Sequence, residues 1–240
     1  RRLGEGAGAG LESFELVPRA ALDLVLGHIP DTRPPLDPPR DWNALVELAA
    51  PEGAPAPGER LASLLGAAME EGLLADAAIA ASEAQAEQFW RLRESISEAE
   101  ARAGPAAKHD ISVPVAHMGA FIAQASAAVE AEFPGCRVIA FGHLGDGNIH
   151  FNVAAPEDAD EGWMETRAPA VSRFVHDLVA AAEGSISAEH GIGQMKLAEF
   201  ERLADPARLA MLRAVKDALD PGGIMNPGKL VPLAKPPAGP

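Results

Sequence analysis

The segment Phe141-Gly-His-Leu-Gly-Asp-Gly-Asn-Ile-His-Phe-Asn-Val153 holds two imidazoles, His143 and His150, among three glycines. It follows an apolar run, Arg137 to Phe141, and ends in strict alternation. Ile149, Phe151 and Val153 fall on one face of a strand, and His150 and Asn152 on the other. Gly142, Gly145 and Gly147 allow a tight reversal, so the pattern predicts a β-hairpin with a polar loop. A hairpin of this kind sets His143 near His150, which is half of a metal site. A second segment, Ser185 to Lys196, carries Glu189 beside His190, with Gly191 and Gly193 following. Two histidines and one carboxylate leave coordination positions free for water or substrate, as a catalytic metal requires. On a regular strand Glu189 and His190 would point to opposite faces, so this segment is expected to be a loop or bulge. His28, His109, His117 and His176 stand alone and read as structural.

The elements that must position these groups alternate along the chain. Phe14 to Val17 reads as a strand, Arg19 to His28 as a helix opened by Pro18, and Pro30 to Arg40 as a proline-rich loop. Trp42 to Ala49 reads as strand, Pro51 to Gly58 as loop, Glu59 to Gly72 as helix, and Ala75 to Ala81 as a buried strand. Ser82 caps a long helix, Glu83 to Ala103, with Gln85 in its first turn. Phe89, Leu92, Ile96 and Ala99 form its apolar stripe. Arg93 and Ser97, four apart, share a face beside that stripe; by spacing alone Arg93 is a solvated helix charge. Ile111 to Val113 is a short strand, and Pro114 begins a helix to about Glu132. Helices follow over Glu161 to Glu183, Gln194 to Leu203 and Pro206 to Leu219, the last capped by Asp205. The tail 236–240 is expected to be disordered. Strand–helix units with one hairpin predict an α+β fold over 1–235, with a mostly antiparallel sheet, helices on one side, ferredoxin-like units and C-terminal helices.

Composition bounds the partners. The chain has 240 residues, 48% of them hydrophobic, and a formal net charge of −15. That is enough to bury a real core, and the charge disfavours nucleic acid and anionic membranes. An anionic substrate therefore needs locally gathered Arg and Lys. A single cysteine, Cys136, precludes an intrachain disulfide and points to a reducing, cytoplasmic setting with an inert core thiol. No stretch has the length of a membrane span. Arg1-Arg2 lacks the apolar segment that a twin-arginine signal needs. No glycine-rich dinucleotide fingerprint or phosphate loop is present.

The motifs GHLGDGNIHFNV (142–153), SAEHGIGQMK (187–196) and DPGGIMNPGKL (220–230), with FWRLRESIS (89–97) and KHDISVPV (108–115), resemble the C-terminal domain of FAD-linked oxidases. This is the D-2-hydroxyacid dehydrogenase group of the vanillyl-alcohol-oxidase superfamily, and the resemblance covers nearly the whole chain. It implies oxidation of a small anionic D-2-hydroxyacid to a 2-oxoacid, with hydride passing to FAD and on to a downstream electron acceptor. His143, His150 and Glu189 match the family's metal ligands, for a divalent ion with Zn²⁺ expected, and His190 its general base. Arg93, Ser97, Lys108 and Asn152 match its substrate contacts. Asn226 and Lys229 match the segment that approaches the flavin. The family's FAD-binding domain is not found in these residues, so the chain is expected to be a fragment or processed product and inactive alone. A homodimer stays open. Two rivals also stay open: a non-catalytic metal-binding or interaction module that keeps the fold, and a non-haem Fe(II) oxygenase.

Overall fold

Strict alternation in the hairpin decides how the sheet is layered. The structure is a computed structural model that describes residues 2–50 and 57–232. Its elements run α1 (Arg2–Ala7), β1 (Leu11–Pro18), α2 (Arg19–His28), β2 (Trp42–Leu48), α3 (Gly58–Glu70), α4 (Glu83–Glu94) and α5 (Ile96–Ala103). Then come β3 (Ala106–Ser112), α6 (Met118–Glu132), β4 (Arg137–His143), β5 (Asn148–Ala154), α7 (Trp163–Thr166), α8 (Ala168–Ala181), α9 (Leu197–Leu203) and α10 (Pro206–Leu219). The strands form one antiparallel sheet in the order β2-β1-β4-β5-β3. The α+β expectation therefore holds.

Residues directly opposed across an antiparallel pair share a face. Ile149, Phe151 and Val153 of β5 and Ala140 of β4 pack with Phe121, Ile122 and Val129 of α6 and Val171 and Val175 of α8. On the other face, Ile139 and Phe141 of β4 meet Leu22 and Val25 of α2, Leu92 of α4, and Ile96 and Ala99 of α5. Helices thus cover both faces, which corrects the one-sided expectation. The cause is β4, which is apolar in both directions along Ile139-Ala140-Phe141, so each face needs its own cover. Burying a phenylalanine or isoleucine here contributes roughly 1.5–3 kcal/mol.

One ferredoxin-like unit is complete. Strands β3 and β4 run parallel with β5 between them, joined by α6, and after α8 the chain returns to the outer edge of β3. That return is a single bridge, Ser112 to Ser185, with both backbone hydrogen bonds made at 2.8 and 2.9 Å. The second unit lacks a strand, because Ala75 to Ala81 is irregular and largely exposed. Ile79, its one large apolar side chain, is 39% exposed. Alanines carry too little apolar area to hold a strand on the core.

The capping expectations hold. Ser82 accepts from Gln85 N, and Gln85 returns its side-chain oxygen to Ala81 N. Asp205 accepts from Ala207 N and Arg208 N ahead of α10. The helix expected over Glu83 to Ala103 is divided at Ser95, and that over Glu161 to Glu183 at Arg167, where Pro169 opens α8. The helix expected from Pro114 begins as a 3₁₀ turn at Val115–His117. Cys136 is buried just ahead of β4, and burial raises its thiol pKa, as an inert thiol requires. The expected loop at Pro51 to Gly58 lies mostly outside the described residues, as does the tail 236–240.

Candidate active site

Register arranges the side chains of one sheet face in three rows. The first is Glu15, His143, Asn148 and Ser112; the second Phe141, His150 and Asp110; the third Ile139, Asn152 and Lys108. His143 and His150 sit in adjacent rows on neighbouring strands, so their rings meet edge-on at 5.7 Å between centroids. The turn that joins them depends on Gly147, whose φ is +83° and whose Cβ position lies 2.1 Å from the Val113 carbonyl oxygen. No other residue fits there. Asp146 completes the turn by accepting from Asn148 N at 2.9 Å.

The segment after Ser185 crosses this face as a loop, which removes the conflict between Glu189 and His190. Backbone N–H groups of both residues donate to Asp110 Oδ2, at 2.9 and 2.8 Å. Gly191, at φ +72°, then turns the chain away. Lys196 fastens the loop from beneath, donating to Ile186 O at 3.0 Å and Ser187 Oγ at 3.2 Å. In this conformation Glu189 Oε1 lies 3.8 Å from His143 Nε2, and the His190 ring lies 6.5 Å from that of His150. Ligand atoms of His143, His150 and Glu189 all fall within 4.8 Å of one another, a group of three that can hold a metal ion.

The electrostatics suit such an ion. Burial, then Arg93 and His143, hold the pKa of His150 below the usual histidine value, so the imidazole is kept neutral as a ligand must be. Burial alone would raise Asp110, but the His190 and Glu189 N–H groups hold its carboxyl below the ordinary range. Asp110 Oδ1 and both side-chain polar atoms of Asn148 are buried without hydrogen-bond partners among the described residues. Orphaned polar atoms beside a cluster of donor atoms fit a bound ligand.

The expected substrate contacts are placed unevenly. Arg93 reaches over the Phe141 ring, 4.9 Å from its centroid, and its Nε donates to Glu15 Oε2 at 2.9 Å. Lys108 is half-exposed, with Nζ 3.7 Å from Glu100 Oε2. Ser97 is exposed on α5 and has no hydrogen-bond partner among the described residues. Asn152 is buried and already committed: its amide donates to both oxygens of Glu100, at 3.0 and 2.8 Å, and its carbonyl oxygen faces His109 N. Asn226 and Lys229 lie on the C-terminal segment, which docks on the His190 loop. Leu230 N donates to Gly193 O at 3.1 Å, and Lys229 Nζ contacts Gln194 Oε1. Sequence reasoning missed Glu15, Glu100, Asp110 and Lys196. Glu15 did leave a signal, as the one charge inside the apolar run Phe14 to Val17.

The expected structural histidines behave as such where they are buried. His109 pairs with Phe151 O and Ser172 Oγ, and His176 with Glu199.

Comparison with known proteins identifies the family. The family model described as FAD linked oxidases, C-terminal domain, matches residues 4–230. D-2-hydroxyglutarate dehydrogenase of Xanthomonas citri pv. viticola is 37% identical over 92% of this chain and 46% of its own length. The enzyme of that name from Stutzerimonas stutzeri is 36% identical over 92% of this chain and 47% of its own. The mitochondrial one from Arabidopsis thaliana is 35% identical over 92% of this chain and 38% of its own. The chain thus spans less than half the length of these relatives. It belongs to the FAD-linked oxidase C-terminal domain family.

Proposed function

We propose that the chain is the substrate- and metal-binding part of a flavin-dependent dehydrogenase that oxidises a D-2-hydroxyacid to a 2-oxoacid. The observation that carries this reading is convergence. Two imidazoles from the two strands of one hairpin and a carboxylate from a distant loop share one sheet face with an arginine and an exposed histidine. The full-length relatives' name, D-2-hydroxyglutarate dehydrogenase, supports the substrate class.

His143, His150 and Glu189 would hold a divalent ion, with Zn²⁺ the best match for two nitrogen donors and one oxygen donor. Such an ion supplies Lewis-acid polarisation of the substrate hydroxyl, and FAD supplies the hydride acceptor. The chain's own residues bind, orient and move the proton. His190, anchored through its backbone to Asp110, takes the hydroxyl proton on its imidazole. Arg93 offers a guanidinium edge to the substrate carboxylate, since its Nε and Nη2 are turned to Glu15 while Nη1 is left over. Lys108 on β3 and Ser97 on α5 would line the approach. Asn152 joins them only by exchanging its bonds to Glu100. Asn226 and Lys229 would face the flavin from the segment docked on the His190 loop. The bulk of the flavin site belongs to a domain outside these residues, which leaves this domain the metal and the anion.

Elemental analysis of the purified wild type and of His143→Ala tests the reading. We expect about one zinc per chain in the wild type and its loss in the variant. Equal metal content in the two would remove His143 from the site. A metal-binding protein that shows no affinity for 2-hydroxyacids by calorimetry would favour the non-catalytic module.

A further inference from the structure

We propose that Glu15 is a positioning residue that sets the tautomer of His143 and the orientation of Arg93 together, coupling metal binding to anion binding. The proposal rests on the metal reading of His143 given above. The Glu15 side chain is only 3% exposed, in the middle of the sheet between Phe14 and Leu16. A carboxylate so placed is tolerated only when its oxygens are paired. They are, and the pairing is divided. Oε1 faces His143 Nδ1 at 2.8 Å; Oε2 accepts from Arg93 Nε at 2.9 Å, with Nη2 also at 2.9 Å. Ser13 Oγ adds a longer bond to Oε1, at 3.4 Å.

The division has a chemical consequence. An ionised carboxylate only accepts, so His143 must donate from Nδ1. That leaves the Nε2 lone pair free on the side where Glu189 lies 3.8 Å away. Outer carboxylates of this kind fix a ligating histidine's tautomer and raise its basicity. The other oxygen of Glu15 holds the guanidinium over Phe141, so one side chain fixes the two charged ends of the site. A residue that merely neutralised a buried arginine would have no reason to touch His143.

Glu15→Gln separates these roles. Arginine can only donate, so the amide oxygen must turn to Arg93 and the amide NH₂ to His143 Nδ1. The imidazole then has to accept at Nδ1 and carry its proton on Nε2, the atom that must bind metal. The tautomer of His143 is read by long-range ¹H–¹⁵N correlation on the zinc-free full chain at pH 8.5. Zinc affinity is read by competition with a chromophoric chelator. We expect Nδ1–H in the wild type, Nε2–H in Glu15→Gln, and zinc binding about 10–100-fold weaker in the variant. An Nε2–H tautomer in the wild type overturns the proposal without any variant. So does an Nδ1–H tautomer in Glu15→Gln with zinc affinity within about twofold of wild type. A lower melting temperature with those two readouts unmoved likewise overturns it, since that is what a purely structural carboxylate gives. His143→Ala is the control. If it binds zinc as the wild type does, the metal reading fails, whereas loss in His143→Ala without loss in Glu15→Gln rejects Glu15 alone.

Discussion

At the scale of single residues, Arg93 shows how a partner changes the meaning of a side chain. Its own side chain is 12% exposed and its partner Glu15 is 3% exposed, so this is a buried ion pair and not a solvated helix charge. Removing one member of such a pair strands the other, at a cost of about 3–5 kcal/mol. Arg93→Ala would therefore confound substrate binding with stability, and Arg93→Lys is the better probe. Lysine keeps a charge for Glu15 but loses the planar fork. In the full-length enzyme we expect Arg93→Lys to raise KM with a small change in kcat, within the roughly 1.5–3 kcal/mol of a charged hydrogen bond. His190→Ala should do the opposite, lowering kcat on the order of 10²–10⁴-fold with little change in KM. Steady-state kinetics with an artificial electron acceptor distinguishes the two patterns. Near wild-type kcat in His190→Ala would move the base to another group, and an unchanged KM in Arg93→Lys would leave Arg93 to Glu15 alone.

At the scale of elements, the hairpin was the most legible part of the chain, because period-two alternation and three glycines constrain only one local geometry. Its weak point follows from the same geometry. Gly147→Ala adds a Cβ at φ +83°, 2.1 Å from the Val113 carbonyl oxygen. It should destabilise the chain by about 2 kcal/mol or more, through left-handed strain and the forced shift of the loop before α6. Zinc affinity should fall with it, since His143 and His150 lose their spacing. Urea unfolding and metal competition on this variant check both, and a wild-type unfolding midpoint would refute the strain argument. The convergence of His143, His150 and Glu189 was legible too, since each sits in a motif of unusual residue types. What supports them was not. Glu15 is 78 residues from Arg93 and 128 from His143, separations that no local periodicity can report. Ala75 to Ala81 failed for a different reason: a near-continuous apolar run reads as a buried strand, but one built mostly from alanine carries too little area to be held on the core. The covering of both sheet faces was hidden because periodicity shows that a face is apolar, not which helix will meet it.

At the scale of the whole molecule, two kinds of electrostatics make opposite forecasts for acid. The net charge is −15 at neutral pH, and the isoelectric point is about 4.8. Self-repulsion therefore falls as the pH drops toward that point, which favours the folded state. The buried histidines pull the other way. Burial first, and the repulsion of His176 and Lys196 after it, lower His109 to about 4 against the pull of the Phe151 carbonyl. His176 is also lowered by burial, against the attraction of Glu199. His109 ties β3 to the helix behind it through Ser172 on α8, and His176, itself on α8, ties that helix to Glu199 on α9. No helix among the described residues, these two included, is long and apolar enough to cross a membrane. The unfolded chain takes a proton on each histidine near pH 6.5 while the folded chain refuses it, so stability is full above that pH and drains as it falls. His109 alone should remove roughly 3 kcal/mol by pH 4, more than a diffuse surface charge is expected to return. The lowered carboxylates of Asp110 and Glu199 act in a separate window, below the ordinary carboxylate range. Urea midpoints measured between pH 7 and pH 4.5 should therefore fall steadily. In His109→Gln they should start lower, because the Ser172 and Phe151 contacts are disturbed, yet fall less steeply. A midpoint that rises toward pH 4.8 would mean that net charge outweighs the buried histidines, and equal slopes in the two proteins would clear His109 of the effect.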